Sequence, residues 1–157
     1  MLFDRLSDKL PDIQIVVWKE SRWIVLSSIM MTIPAIYGFY NKLYTLSLII
    51  CMTSFISANY WRNAKIGIRR DVDLIFSKIS FSIFLYNGFI HVYYLPSILL
   101  GHIGLISIIY LYYLSNKYFE LKNPNWLNYH FLFHMTIIIE QIMILSSIVK
   151  KRFTLGV

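Results

Sequence analysis

The longest apolar stretch of the sequence runs from residue 74 to residue 114, and it constrains the fold more than any other feature. Lys78 is its one Asp, Glu, Lys or Arg residue. A helix of about 20 apolar residues crosses the hydrocarbon core of a bilayer, so this stretch is long enough for two crossings. The segment Tyr94-Leu95-Pro96-Ser97 near its middle suits a reversal of the chain. We predict two membrane helices, over residues 74–93 and 97–114, joined by a tight turn.

Three further apolar stretches have the length of a membrane crossing. They cover residues 23–40, 43–61 and 126–149. Pro34 and Gly38 lie inside the first of them, where a kink is tolerated if neighbouring groups satisfy the freed carbonyl oxygens. The sequence therefore predicts an all-α fold, a polytopic membrane helix bundle with about five transmembrane helices.

The composition of the chain supports the membrane prediction and bears on its partners. Hydrophobic residues make up 57% of the 157 residues and charged residues 15%, whereas a water-soluble protein carries roughly 25% charged residues. The formal net charge of +7 does not indicate nucleic acid, because the basic residues cluster beside apolar stretches, where they hold helix ends at lipid headgroups. We expect the lipid bilayer as partner, with a second copy or other membrane proteins as candidates and no nucleic acid.

The predicted bundle forms one domain, residues 23–149, between two polar ends. In the N-terminal segment 1–22, the apolar side chains of residues 2–10 recur at helical spacing. This pattern fits a short amphipathic helix on the membrane surface, and it fits a frayed tail equally well. Residues 150–157 form a basic C-terminal tail.

The distribution of Lys and Arg predicts the orientation in the membrane, because cytoplasmic loops are enriched in these residues. With a cytoplasmic N-terminus, ten of them flank the spans on the cytoplasmic side and four on the other side. We therefore predict an integral, multi-pass membrane protein with its N-terminus in the cytoplasm. The basic C-terminal tail favours the alternative of four spans with both termini inside.

His130 and His134 are four residues apart at the start of the last predicted helix, so their rings project from one face. They are candidate metal ligands, with zinc as the metal, or else hydrogen-bonding residues at the membrane interface. The topology places Ser57, Asp71 and Asp73 on the same side of the membrane, and a histidine pair with a carboxylate is a catalytic zinc set. Asp71 and Asp73 also suit a simpler role, because acids stabilise the start of a helix.

Three polar side chains are predicted inside the membrane, namely Lys78, Asn87 and Glu140. Lys78 lies about one turn inside the third span and can extend back to the headgroups. Glu140 lies near the centre of the last span, where a carboxylate needs a polar partner. The candidate partners are Gln141, Asn87 and Lys78. Glu140 then serves either as a polar contact between helices or as a proton or ion relay.

The order of these residues resembles that of the membrane hydrolase superfamily that includes the alkaline ceramidases and the progestin and adiponectin receptors. That family has Ser-x-x-x-His near the end of an early helix, an Asp a little over ten residues later, and His-x-x-x-His in its last helix. Here the matching segments are Ser57-Ala58-Asn59-Tyr60-Trp61, then Asp71 or Asp73, and His130-Phe131-Leu132-Phe133-His134. The chain differs in Trp61, which replaces the first histidine ligand, and in having about five helices instead of seven.

The resemblance implies a zinc-dependent hydrolase of lipid amides or esters. It would make His130 and His134 zinc ligands, Ser57 an oxyanion or water partner, and Asp71 or Asp73 a base or water-holding residue. The residues themselves leave three functions open. The first is a structural or accessory membrane protein, the second is the hydrolase or a degenerate relative of it, and the third is a bundle that translocates protons or ions.

Overall fold

The computed structural model describes residues 15–155, so the amphipathic segment predicted for residues 2–10 lies outside the described residues. Six helices make up this range, and the predicted all-α bundle is confirmed. They are α1 Trp18–Met30, α2 Thr32–Tyr40, α3 Tyr44–Arg62, α4 Ile68–His91, α5 Leu95–Glu120 and α6 Trp126–Leu155.

Four helical segments within residues 15–155 are long and apolar enough to cross a membrane. They are Trp18–Tyr40, Ile68–His91, Leu95–Glu120 and Trp126–Thr154. The first consists of α1 and α2 together, and the other three are α4, α5 and α6. These segments correspond to the first, third, fourth and fifth predicted spans.

The second predicted span, residues 43–61, forms α3, which is less apolar because it carries a row of hydroxyl side chains. Ser47, Thr53, Ser54 and Ser57 are all buried. α3 packs against both α1 and α2 and runs antiparallel to them. Its 19 residues are about 28 Å long, close to the thickness of the hydrocarbon core. α3 therefore lies alongside its two neighbours, with its hydroxyl groups directed into the bundle, and it is not one of the four segments apolar enough to cross a membrane.

A break at Met31 separates α1 from α2. The ring of Pro34 displaces the carbonyl group of Met30, four residues earlier, and proline has no amide hydrogen to bond it. The amide of Met31 still bonds to the carbonyl oxygens of Ser27 and Ser28, each at 3.2 Å. The kink predicted for this span is therefore a one-residue interruption of the helix at Met31. α1 and α2 on its two sides together form one rod.

The helices extend further into the polar segments than the sequence predicts. α4 begins at Ile68, so residues 69–73 form its first turns and not a loop. α5 continues to Glu120, and α6 continues through the basic residues 150–152 that were predicted as a tail. A helix can project beyond the hydrocarbon because its backbone stays hydrogen-bonded while its charged side chains reach the headgroups.

α3 and α6 are the central helices of the bundle. α6 packs against α1, α2, α4 and α5, and α3 packs against α1, α2 and α4. Ala35, Ile50 and Leu145 form the centre of one buried cluster, and Ile24, Tyr60 and Trp126 belong to another. α4 and α5 follow each other in the chain, yet they are not packed against each other along their lengths. Their separation leaves an opening in the bundle.

The tightest contact between α2 and α3 joins Gly38 and Ser47. A Cβ atom at position 38 would overlap the Ser47 Oγ atom. Ser47 is fully buried, and its hydroxyl donates to the carbonyl oxygen of Leu43 at 2.9 Å. The hydroxyl cannot move aside without losing that bond, so the two helices need a glycine at this position.

Replacement of Gly38 by alanine should destabilise the bundle by about 1–3 kcal/mol, the usual effect of an atom forced into a packed interior. The clash involves the Ser47 Oγ, whereas the Ser47 Cβ would lie 3.5 Å from the new methyl group. The double variant Gly38→Ala, Ser47→Ala should therefore regain most of the loss. The free energy of unfolding is measured by SDS titration in mixed micelles.

The matched control is Gly88→Ala, because its new Cβ atom would meet only the Ile144 side chain, at 3.4 Å from Cδ1 and 3.7 Å from Cγ1. This variant should be close to neutral. If the double variant is no more stable than Gly38→Ala alone, the proposed contact is not the cause of the loss.

Candidate functional site

A cavity of about 610 Å³ lies between α4 and α5 and reaches inward to α3 and α6. We call it the α4–α5 cleft. Apolar side chains line both of its walls. They are Phe81, Leu85 and Phe89 on α4, and Ile98, Leu105 and Ile109 on α5. Because the two wall helices are not packed together along their lengths, the gap between them leads into the cleft.

Six of the eight residues singled out from the sequence line this cleft. They are Ser57, Asp73, Lys78, His130, His134 and Glu140. The two others lie elsewhere. Asp71 is exposed on the first turn of α4, and the Asn87 amide donates to the Ile83 carbonyl oxygen at 2.8 Å in its own helix.

Asp73 is the carboxylate that the fold brings into the interior. It is only 7% exposed, and the hydroxyl of Ser57 lies next to its carboxyl group. Its Oδ1 atom has no hydrogen-bond partner within the described part of the chain. Ser57 is held in turn by Ser28 of α1, with 3.2 Å between the two hydroxyl oxygens. The sequence left Asp71 and Asp73 as alternatives, and the structure places Asp73 beside Ser57.

His134 is 4% exposed and bonds to Ser27 of α1, with 2.8 Å between His134 Nδ1 and Ser27 Oγ. A hydroxyl has one hydrogen, and Ser27 donates it to the carbonyl oxygen of Ile24 at 2.9 Å. With that donation, the hydrogen in the bond to His134 is the one on Nδ1, and Nε2 of the neutral ring is an acceptor.

His130 makes the corresponding bond to Ser115 of α5, with 3.2 Å between Nδ1 and Oγ. The Ser115 hydroxyl also donates to the carbonyl oxygen of Trp126, at the longer distance of 3.4 Å. The one hydrogen of this hydroxyl has two acceptors within reach, so Nδ1 of His130 either donates to Ser115 or accepts from it. The centres of the His130 and His134 rings are 4.8 Å apart, so the two rings are neighbours.

Trp61 lies directly against His130, with 4.9 Å between the ring centres and an edge-to-face arrangement. Trp126 stacks on Trp61 at 6.0 Å and also lies 6.3 Å from the His130 ring centre, so the three rings form one cluster. Trp61, which stands in the sequence where the resemblance expects the first histidine ligand, thus contacts His130. An indole has no lone pair for a metal, so this contact packs the histidine and cannot replace a ligand.

No group of three or more His, Cys, Asp or Glu side chains close enough to hold a metal ion occurs among residues 15–155. The zinc set predicted from the histidine pair and a carboxylate is therefore not assembled there. The histidine pair still supplies two nitrogens. Each Nδ1 atom bonds to a serine hydroxyl, and hydrogen bonds at Nδ1 commonly orient histidines that bind metal through Nε2.

Glu140 packs onto the backbone of α5 at two glycines. Its carboxylate fills the space that a side chain at Gly104 would need, and it also lies near Gly101. None of the hydrogen bonds or ion pairs in the described range involves Glu140, so the expected pairing with Gln141, Asn87 or Lys78 is not found. Close packing on glycine, and not a polar partner, accommodates this side chain. A role as ion relay stays a prediction.

Sequence reasoning missed the serines that hold the two histidines. Ser27 and Ser115 each lie on a different helix from the histidine to which they bond, and neither belongs to a recognisable motif. The sequence indicates such contacts only through the hydroxyl groups themselves. A hydroxyl group in a membrane helix usually bonds to a neighbouring helix or to its own backbone. Gly101 and Gly104, three residues apart on α5, likewise indicate a close approach by another helix.

Comparison of the chain with protein family models, curated proteins and solved structures finds no match. The resemblance to the membrane hydrolase superfamily therefore stays a prediction from the residues named above. What the chain does must be argued from its own geometry.

The Ser27–His134 bond should contribute measurably to stability. A double-mutant cycle of Ser27→Ala and His134→Ala should give a coupling energy of about 0.6 kcal/mol and at most about 1.7, the range found for hydrogen bonds between membrane helices. Ser82→Ala is the matched control, because Ser82 bonds only to the Lys78 carbonyl oxygen in its own helix. A coupling energy of zero would show that the two side chains do not interact in the folded protein.

Proposed function

We propose that this chain is an integral membrane protein with an accessory, non-enzymatic role, and that it binds an amphipathic molecule of the bilayer in the α4–α5 cleft. One observation carries the proposal. Two consecutive helices, each apolar enough to cross a membrane, are held apart instead of packed together, and polar side chains lie at the inner side of the gap.

The size and lining of the cleft support a ligand with a long apolar part. Its volume of about 610 Å³ falls within the range of small-molecule pockets, roughly 300–1,000 Å³. The walls are aromatic and aliphatic, so they offer water few hydrogen bonds. An acyl chain can enter sideways from the membrane without crossing water. The bilayer itself is therefore the natural source of the ligand.

The polar groups at the inner side of the cleft define the other end of the ligand. Asp73 Oδ1 and Gln141 Oε1 are buried acceptors without partners in residues 15–155, and both side chains line the cleft. The histidine pair adds two Nε2 atoms that lie outside the bonds to serine. A ligand end that donates hydrogen bonds, such as a hydroxyl or amine group, would satisfy acceptors that otherwise stay unpaired at a free-energy cost.

Filling the cleft should prevent binding. Ser77 lines the cleft on α4, whereas Ser82 is exposed on the same helix and does not line it. Ser77→Phe should reduce labelling by a diazirine-bearing fatty alcohol, in phosphatidylcholine nanodiscs, by about tenfold, because displacing packed atoms costs more than 1 kcal/mol. Mass spectrometry of digested protein measures the labelling of peptides from α4, α5 and α6.

Ser82→Phe, which adds the same bulk on the outer face, is the control and should label like the unchanged protein. Equal labelling of the two variants, or labels spread evenly over all lipid-facing surfaces, would mean that the cleft does not select a ligand.

A second candidate function is hydrolysis of an ester or amide in the bound molecule. The observation that favours it is that Ser57, Asp73, His130 and His134 line the same cleft. Zinc, the metal implied by the resemblance, would be held by the two histidines and would supply a bound water of lowered pKa when present. The donor set fits a catalytic zinc only in part, because such sites have three protein ligands.

Metal content separates the two candidates. The hydrolase predicts one zinc ion per chain in gently purified protein, lost in His130→Ala and in His134→Ala and retained in the control His91→Ala, which alters a histidine that does not line the cleft. Elemental analysis by mass spectrometry gives the ratio. Protein that binds the fatty alcohol but contains no zinc before and after incubation with the metal would leave only the binding function.

A further inference from the structure

A second pocket, of about 450 Å³, lies at the end of the bundle opposite to His130. Three chain segments meet there, namely the turn between α2 and α3, the last turns of α4 and the last turns of α6. The residues with polar groups that line it are Lys42, Tyr44, Thr45, Asn87, His91, Lys151 and Arg152. None of the roles considered so far uses this pocket.

The pocket collects positive charge from parts of the chain that are far apart in sequence. Lys42 comes from the α2–α3 turn, while Lys151 and Arg152 come from the end of α6. No Asp or Glu lines the pocket, and no ion pair of these three cations occurs among the described residues. Three like charges gathered around one space repel each other unless an anion lies between them.

The pocket also holds a hydrogen-bonding atom without a partner. The Nδ1 atom of His91 is buried and has no hydrogen-bond partner within residues 15–155. The positive charges of Lys151 and Arg152 act on this ring. A nitrogen that carries a hydrogen here would be satisfied by an anionic oxygen, which is the group that the surrounding charges also favour.

Three lining residues are apolar. Leu43, Leu46 and Ile148 line the same pocket as the cations, and Lys42 and Arg152 are exposed at its rim. The pocket lies at helix ends, where lipid headgroups meet the hydrocarbon core. A charged group bound by the cations would thus have apolar surface directly beneath it.

We propose that this pocket binds a phosphate group, with Lys42, Lys151 and Arg152 as its counter-charges. The apolar lining favours the headgroup of an anionic phospholipid as the source. Free phosphate shares the chemistry that the cations recognise, so the experiment includes it as a separate arm. The site is independent of the α4–α5 cleft, which lies between other helix faces.

The test is native mass spectrometry of the full chain in detergent, with phosphatidylglycerol and phosphatidylcholine offered in equal amounts. One phosphatidylglycerol should bind in preference. Lys151→Gln and Arg152→Gln should each weaken that binding about fivefold, the effect of one basic residue near an anionic lipid. Lys42→Asn should do the same, and asparagine suits the positive φ of 59° at this position, so the turn is kept.

Lys150→Gln is the matched control, because Lys150 is exposed on the same helix end and does not line the pocket. It removes the same charge and should leave binding unchanged. Ser77→Phe should also keep the lipid preference, which separates this site from the cleft. Displacement of the lipid by inorganic phosphate at millimolar concentration would assign the site to free phosphate as well.

The proposal would be overturned if Lys150→Gln weakened phosphatidylglycerol binding as much as the three pocket variants do. The lipid would then be attracted by the basic surface in general and not by the pocket. Absence of any preference for phosphatidylglycerol, together with no effect of inorganic phosphate, would overturn it too. Circular dichroism of each variant confirms that the helices are retained.

Discussion

Two apolar helices inside a bilayer gain little from leaving the lipid for each other, because lipid tails are as apolar as leucine side chains. Association in this protein instead depends on close backbone approach and on hydroxyl groups. Gly38 lets α2 meet α3, and the Ser54 hydroxyl of α3 donates to the Ser28 carbonyl oxygen of α1 at 2.5 Å. The bond between Ser27 and His134 then joins α1 to α6. These contacts define a tightly built half of the bundle.

The other half contains fewer such contacts, and its geometry follows from that difference. α5 contacts α6 through the bond between Ser115 and His130, and at Gly104, against which the Glu140 side chain packs. α4 contacts α3 and α6, whereas its ring contact with α5, between Phe89 and His102 at 6.5 Å, involves neither a glycine nor a hydroxyl group. The hydroxyl groups of Ser82 and Ser107 bond to carbonyl oxygens of their own helices and join nothing. A cleft between these two helices is the structural result.

Much of the architecture could be predicted from the sequence, because length and apolarity alone identify membrane helices. Alternation of the helices across the membrane also brought Ser57 and His134 to one end of the bundle. The rotation of each helix about its axis could not be predicted, since it depends on packing with neighbours. For this reason the sequence could not choose Asp73 over Asp71, and it could not show that Trp61 lies against His130.

The polarity of α3 has a consequence for how the chain is made. A segment with this many hydroxyl groups enters lipid poorly by itself, whereas the preceding rod of α1 and α2 is apolar enough to enter unaided. The turn between them is short, and the Leu43 amide bonds back to the Gly38 carbonyl oxygen at 2.8 Å. We therefore expect α3 to leave the translocation machinery paired with the rod of α1 and α2, as one arm of a preformed hairpin. Synthesis of that rod is then a precondition for insertion of α3.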